Sequence, residues 1–221
     1  MRRSGPVVTM SVKAARAAET REAILAAAER LFAEHGVFAV SNRQISEAAG
    51  QGNNAAVGYH FGTKTDLIRA VVRRHADPID ALRQHMLATT GDSRDARDWV
   101  ACLVRPGARH LGQLGSPTWY ARFAAQLMTD PVLREVMVDE AFGPSIARNL
   151  DGLNRCLPDL PLPVRIERGD MARHLMVHTL AERERALADG TPTVHADWDA
   201  YADGLIDAIT GLWLAPCPTT P

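Results

Sequence analysis

The chain has 221 residues and a nearly balanced charge, 25 Lys/Arg against 26 Asp/Glu. That length suits a small domain joined to a larger one with a sizeable core, and no apolar run approaches the roughly 18 residues that span a bilayer. The three cysteines, Cys102, Cys156 and Cys217, form no CxxC pair, which argues against a disulfide framework or a thiolate zinc site. They read as reduced residues of a cytoplasmic protein. The two arginines near the start have no apolar stretch behind them, so no signal peptide is expected. Charge is unevenly spread: residues 1–75 hold 11 Lys/Arg against 6 Asp/Glu, the rest 14 against 20. A basic head on an acidic body suits a nucleic-acid-binding domain followed by a sensing or assembly domain.

Residues 1–16 lack a steady period and are expected to form a flexible basic arm, with Arg2, Arg3, Lys13 and Arg16 available to a DNA backbone or minor groove. A first helix is expected from Ala17 to Glu34, its buried stripe formed by Ile24, Ala27, Ala28, Leu31 and Phe32. Gly36 ends it, and a short link carries Phe38 into the core. Ser41 then caps a helix whose inner stripe is Ile45, Ala48 and Ala49, and Gly50 sits where the chain must reverse. Asn53 or Asn54 is the expected cap of the next short helix, Ala55 to His60. Phe61 is expected to pack inward, Gly62 to break the helix, and Thr63 to cap a fourth beginning at Lys64.

Two short helices joined by a glycine turn make a helix-turn-helix, whose second helix enters the DNA major groove. Its neutral, small surface allows close approach. Asn54 suits a base edge and Ala55 and Ala56 suit thymine methyls, with Asn53 either beside them or only a cap. Arg43, Tyr59, His60 and Lys64 lie on the flanks, where phosphates are expected.

These residues also carry a resemblance. AAG followed by AAVGYHFGTKTDL, with the preceding run ILAAAERLFAEHG, is similar to the DNA-binding domain of the tetracycline-repressor-like (TetR/AcrR) regulators. The likeness is specific over roughly residues 17–75 and architectural beyond. Gly58 departs from it, standing where an aromatic residue is frequent, and the Ala49–Phe61 segment runs about one residue longer than the commonest spacing. The resemblance implies an all-α protein of about nine helices. A helix-turn-helix domain (17–63) would be joined by a connecting helix (64–90) to an effector-binding and dimerisation domain (91–215), with a flexible tail (216–221). It further implies a homodimer through the last two helices, a palindromic double-stranded operator, and a small-molecule effector that releases it.

Beyond the connecting helix, where Pro78 should interrupt or bend the pattern, Ser93 opens a helix through Trp99, and Pro106 either bends it or begins a new turn. Gly115-Ser116-Pro117 punctuates the chain before Trp119–Met128. Asp130 and Pro131 pair as cap and first helical residue, and Pro144 constrains the segment that runs on through Ile146 and Leu150. The last two segments, Val164–Leu187 and Trp198–Leu214, are apolar on more than one face and call for a partner. No strand-like alternation appears.

If the family pattern holds, the pocket lies inside this bundle, and Trp99, Trp119, Tyr120, Phe123, Met128, Met137, Phe142, Met171 and Met176 suit an apolar or aromatic ligand. His174 and His178 have the i, i+4 spacing of two metal ligands, with His110, Asp170 or Glu182 as completing groups. The run is HLMVH, however, and lacks the glutamate of HExxH. A pocket or dimer-seam role is the preferred reading, and no metal, cofactor or catalytic residue is assigned. Two rival functions remain. One is a DNA-binding dimer governed by a partner protein without a small-molecule effector. The other is a metal-dependent enzyme or metal sensor using His174 and His178.

Overall fold

A computed structural model describes residues 12–217. Among them lie ten helices and no strand: α1 (Val12–His35), α2 (Asn42–Ala48), α3 (Ala56–Phe61), α4 (Lys64–Thr90), α5 (Ala96–Leu114), α6 (Tyr120–Met128), α7 (Pro131–Ala141), α8 (Pro144–Cys156), α9 (Leu162–Ala188) and α10 (Trp198–Leu214). The all-α expectation holds, with ten helices rather than about nine. Phe142 leaves helical geometry and Gly143 is extended, so Pro144 starts a separate helix at its first position, where its missing N–H costs nothing.

The head consists of α1, α2, α3 and the start of α4. Ser41 caps α2 through a capping box with Gln44, and Thr63 caps α4 through one with Asp66. Ile24, Phe32, Ile45, Val57, Leu67 and Val71 form its sealed core. Gly50 turns the chain at φ +68°, a region a side chain rarely occupies. Helix α1 starts at Val12, so Lys13 and Arg16 belong to a helix; the expected arm is otherwise outside the described residues, as is the tail from 218. Phe38 is 76% exposed, contrary to expectation, because Val37 and Val40 take the inward positions of the link.

Helix α4 runs unbroken through Pro78. Pro78 and Arg74 are both exposed, so the carbonyl freed by the missing N–H lies on the solvent side, where its cost is small. Helix α5 likewise continues through Pro106. It begins at Ala96 with Asp95 as cap, not at Ser93, whose carbonyl instead accepts the indole N–H of Trp99 at 3.0 Å.

Buried polar groups lock the body. Glu184 of α9 is 2% exposed and lies at the start of α6, which has no side-chain cap of its own. It accepts from the Ala121 and Arg122 amides at 3.1 and 2.9 Å, from Thr118 Oγ1 at 2.7 Å and from Arg122 Nε at 3.1 Å. One carboxylate thereby satisfies orphan N–H groups of a helix start and neutralises a buried cation. Arg168 does the converse at the end of α10, donating to the carbonyls of Trp213 and Pro216. Helices α5 and α10 are laced by Arg97–Asp207, Arg105–Asp203 and Arg109–Asp199. Helix α8 approaches α5 so closely that a Cβ on Gly152 would land inside the Trp99 ring.

Glu184→Ala should therefore cost about 3–5 kcal/mol in urea denaturation, the usual loss on stranding a buried charge. Gly152→Ala should cost about 1–3 kcal/mol by overpacking the α5–α8 contact.

Candidate nucleic-acid interface and ligand cavity

The α2–turn–α3 unit presents a small outer surface. Asn53, Asn54, Ala55, Gly58 and Tyr59 are exposed, Tyr59 at 85%. Asn53 accepts the Ala55 amide at 2.9 Å, so its side chain shapes the turn before α3. Ala56 is turned into the core beside Val57, which removes it from the outer face. Arg43 reaches outward, paired at 2.8 Å with Glu47 one turn on. Such an exposed i, i+4 pair is worth little and can be exchanged for a phosphate. His60 is half-buried, edge-on to Tyr59. Lys64 donates to the Val40 carbonyl at 2.6 Å and lies 5.6 Å from the centroid of the Phe32 ring, with burial lowering its pKa. Its ammonium holds the link before α2 against α4. Phe61 is half-buried under the Arg21 guanidinium.

A cavity of two adjoining lobes opens in the body. The inner lobe, about 160 Å³, lies between α4 (Ala76, Ile79, Arg83), α5 (Leu103, Val104), α6 (Tyr120, Ala124) and α9 (Met176, Leu180). The outer lobe, about 300 Å³, is lined by Met128, Met137, Phe142, Ile146, Leu150 and Trp213 among others, and shares Leu103, Val104, Met137 and Met176 with the inner one. Of the pocket residues expected from sequence, Tyr120, Met128, Met137, Phe142 and Met176 line it. Trp99 and Phe123 are sealed in the core, Phe123 stacked on Phe32 with centroids 6.0 Å apart. Trp119 borders a separate surface depression near Leu114. Met171, His174 and His178 are exposed on α9, the two imidazoles stacked with centroids 6.1 Å apart. Among the described residues no three His, Cys, Asp or Glu side chains gather to hold a metal. Burial raises the pKa of the Cys102 thiol, which suits an inert core residue.

Periodicity does not single out Arg83, a cation in the inner lobe, or the chain of polar groups beside it. Glu29 of α1 is bonded to His75 Nε2 at 2.9 Å, and His75 Nδ1 to His110 Nε2 at 2.8 Å. All three are buried, and Tyr120 stacks on His75 with centroids 3.9 Å apart. A helix of the head, the connecting helix and the wall of the cavity thus share one network. A second link joins Arg69 and Arg73 of α4 to Glu140 of α7. The isolated i, i+46 and i, i+35 spacings leave no sequence signal for such contacts.

Known proteins share the fold and the family pattern of this chain. Residues 24–71 match the family described as "Bacterial regulatory proteins, tetR family", and residues 101–211 match "Tetracyclin repressor-like, C-terminal domain". The chain belongs to the TetR family. Its members are DNA-binding transcriptional regulators rather than enzymes. The chain is 30% identical over 157 residues to the HTH-type transcriptional repressor AcnR of Corynebacterium glutamicum, covering 66% of this chain and 73% of AcnR. Over 87 residues it is 34% identical to the HTH-type transcriptional regulator TtgR of Pseudomonas putida, 39% of each chain. In fold it is similar to a TetR family transcription regulator from Marinobacter aquaeolei VT8, with a TM-score of 0.60, 17% identity, and coverage of 90% of this chain and 97% of that one. No helix among the described residues of this TetR-family chain is long and apolar enough to cross a membrane.

The buried network sets a pH dependence. Burial first, then neighbouring His75, pushes His110 down to about 4, with Glu29 opposing. An unfolded histidine titrates near 6.5, so between these values the unfolded chain binds the extra proton and stability falls as pH is lowered. The melting temperature should drop from pH 7 to pH 5, and His110→Gln should flatten that slope in calorimetric scans.

Proposed function

We propose that this TetR-family regulator is a repressor that binds a palindromic operator as a homodimer and is released by a small, largely apolar effector. The observation that carries the reading is the double-lobed cavity, walled by the same α4 whose first turn belongs to the reading head. A ligand that fills the cavity acts on α4 through Ala76, Ile79 and Arg83, and on Tyr120, which stacks on the head-linked His75. Only differential affinity for two arrangements of the heads is required, with no covalent chemistry.

On the DNA side, Arg43, Tyr59 and His60 are assigned to the phosphates, and Asn54 and Ala55 to the base edges, with Asn53 fixing the turn. The exposure of Arg43, Asn54, Ala55 and Tyr59, with half-buried His60 edge-on to Tyr59, supports the assignment, while the engagement of Lys64 with Val40 gives it a positioning role. Dimerisation is assigned to α9 and α10. Ile166 and Leu175 of α9 and Leu214 of α10 are exposed, and so are Gly204, Ala208 and Gly211, small residues on one stripe of α10 that admit close helix approach. His174 and His178 fall on the same exposed side of α9, at this seam.

Binding to the protein's own upstream intergenic DNA, measured across a salt series against unrelated duplex, tests the reading. A protected palindrome bound well above nonspecific duplex is expected, and Arg43→Ala should reduce the salt slope by about 1. Equal binding to both duplexes by the dimer would sink the assignment of that DNA as operator. Specific binding indifferent to every cavity ligand would favour control by a partner protein.

A further inference from the structure

The inner lobe is apolar except where Arg83 and Tyr120 line it, and Arg83 brings a positive charge. Arg83 of α4 is 5% exposed, deep for a guanidinium, yet it lines the cavity. Among the described residues only Nη1 is engaged, with Ser145 Oγ at 3.3 Å and Asp80 Oδ1 at 3.5 Å. Nε is buried with no partner. Asp80 offsets part of the charge, but it is the more exposed member and its oxygens also serve Ser145 and Gln84. An arginine lost from water with a donor unmet is costly unless something completes it.

Tyr120 faces the same lobe. Its hydroxyl has no hydrogen-bond partner among the described residues, and burial holds its pKa far above the ordinary tyrosine value, so it stays a proton donor. Around these two donors the lining is Leu, Val, Ile, Ala and Met, and the outer lobe continues it with Phe142 and Trp213.

Building on the effector reading above, we propose that the effector is an amphipathic monocarboxylate. Its carboxylate is held by Arg83 and Tyr120 in the inner lobe, and its alkyl or aryl body fills the outer lobe. Two donors and a planar guanidinium match the acceptor geometry of a carboxylate, and charge-assisted bonds in a water-poor site are strong. A ligand without an acceptor would leave Arg83 as unmet as in the free protein, and a neutral acceptor would form the weaker, uncharged bond. The outer lobe contains one other cation, Arg173, whose Nη1 is likewise buried without a partner; its Nη2 is paired at 2.9 Å with Asp170, and its side chain is 23% exposed against 7% for Arg83. The head group at Tyr120 would also press on the stacked His75, placing it against the network that reaches α1.

The test uses the full-length dimer with octanoate and 4-phenylbutyrate against 1-octanol and 4-phenylbutanol, read by calorimetric titration and thermal shift. Expected are binding of the acids roughly tenfold or more tighter than the alcohols, and a roughly tenfold loss for the acids alone in Arg83→Gln and Tyr120→Phe. Tyr120→Phe keeps the ring on His75, so it reports on the hydroxyl even if Arg83→Gln fails to fold. Arg173→Gln should bind the acids as the wild type does. Alcohols binding as tightly as acids, acid affinity unchanged in Tyr120→Phe, or a loss confined to Arg173→Gln would each overturn the proposal. Absence of acid binding overturns it too. A neutral fluorophore, N-phenyl-1-naphthylamine, then separates the cases: if it binds and is displaced by the alcohols the effector cavity stands, and if it does not, the effector reading falls as well.

Discussion

A carboxylate and two imidazoles, bonded in series and shut away from water, hold the reading head on the body. Glu29 comes from α1, His75 from α4 and His110 from α5, and Tyr120 of α6 covers the middle ring. Each member is buried where an unmet polar group would be expensive, so the four helices are constrained to one mutual arrangement. That constraint has a functional side. An element held by directional bonds has discrete alternatives rather than a continuum, which is what the proposed switch between DNA-competent and released arrangements requires.

The rest of the body is anchored by polar contacts and close packing around the cavity. Glu184 caps α6 from across the bundle, and Arg168 closes the end of α10. Trp99 over Gly152 fixes α8, and Glu140 ties α7 to the head end of α4. These anchors lie around the cavity rather than in it, so the lining itself is mostly Ala, Leu, Val and Met side chains whose packing can adapt to an occupant. Arg83 and Tyr120 in the inner lobe and Arg173 in the outer one are the polar exceptions, and Arg83 is the more deeply buried of the two cations.

Much of the fold is legible in the chain because its signals are local. Caps at Ser41, Thr63 and Asp130, the glycines at 36, 50, 62 and 91, and 3.6-residue apolar stripes place the helices within a few residues. The errors are equally local in origin. Proline at 78 can interrupt a helix, but α4 continues through it, because the carbonyl freed by the missing N–H lies on the solvent side. Hydrophobicity alone predicts Phe38 in the core, yet two smaller valines on either side already fill the inward positions. The site is half legible. Aromatic and sulfur residues in the right stretch include Tyr120, Met137 and Phe142, which line the cavity, but also Trp99 and Phe123, which fill core. Composition cannot tell a wall from a floor.

By itself the sequence determined the helical character, the head-and-body charge division and the helix-turn-helix, all of which follow from neighbours within one or two turns. The tertiary structure alone decided which side chains meet. The Glu29–His75–His110 chain, the capping of α6 by Glu184 and the seating of Arg83 in an apolar lobe join residues 46, 35 and about 60 positions apart. No period or motif encodes such meetings. They exist because helices packed at fixed angles bring distant turns together, and because a buried polar atom must find its partner wherever the fold has put one.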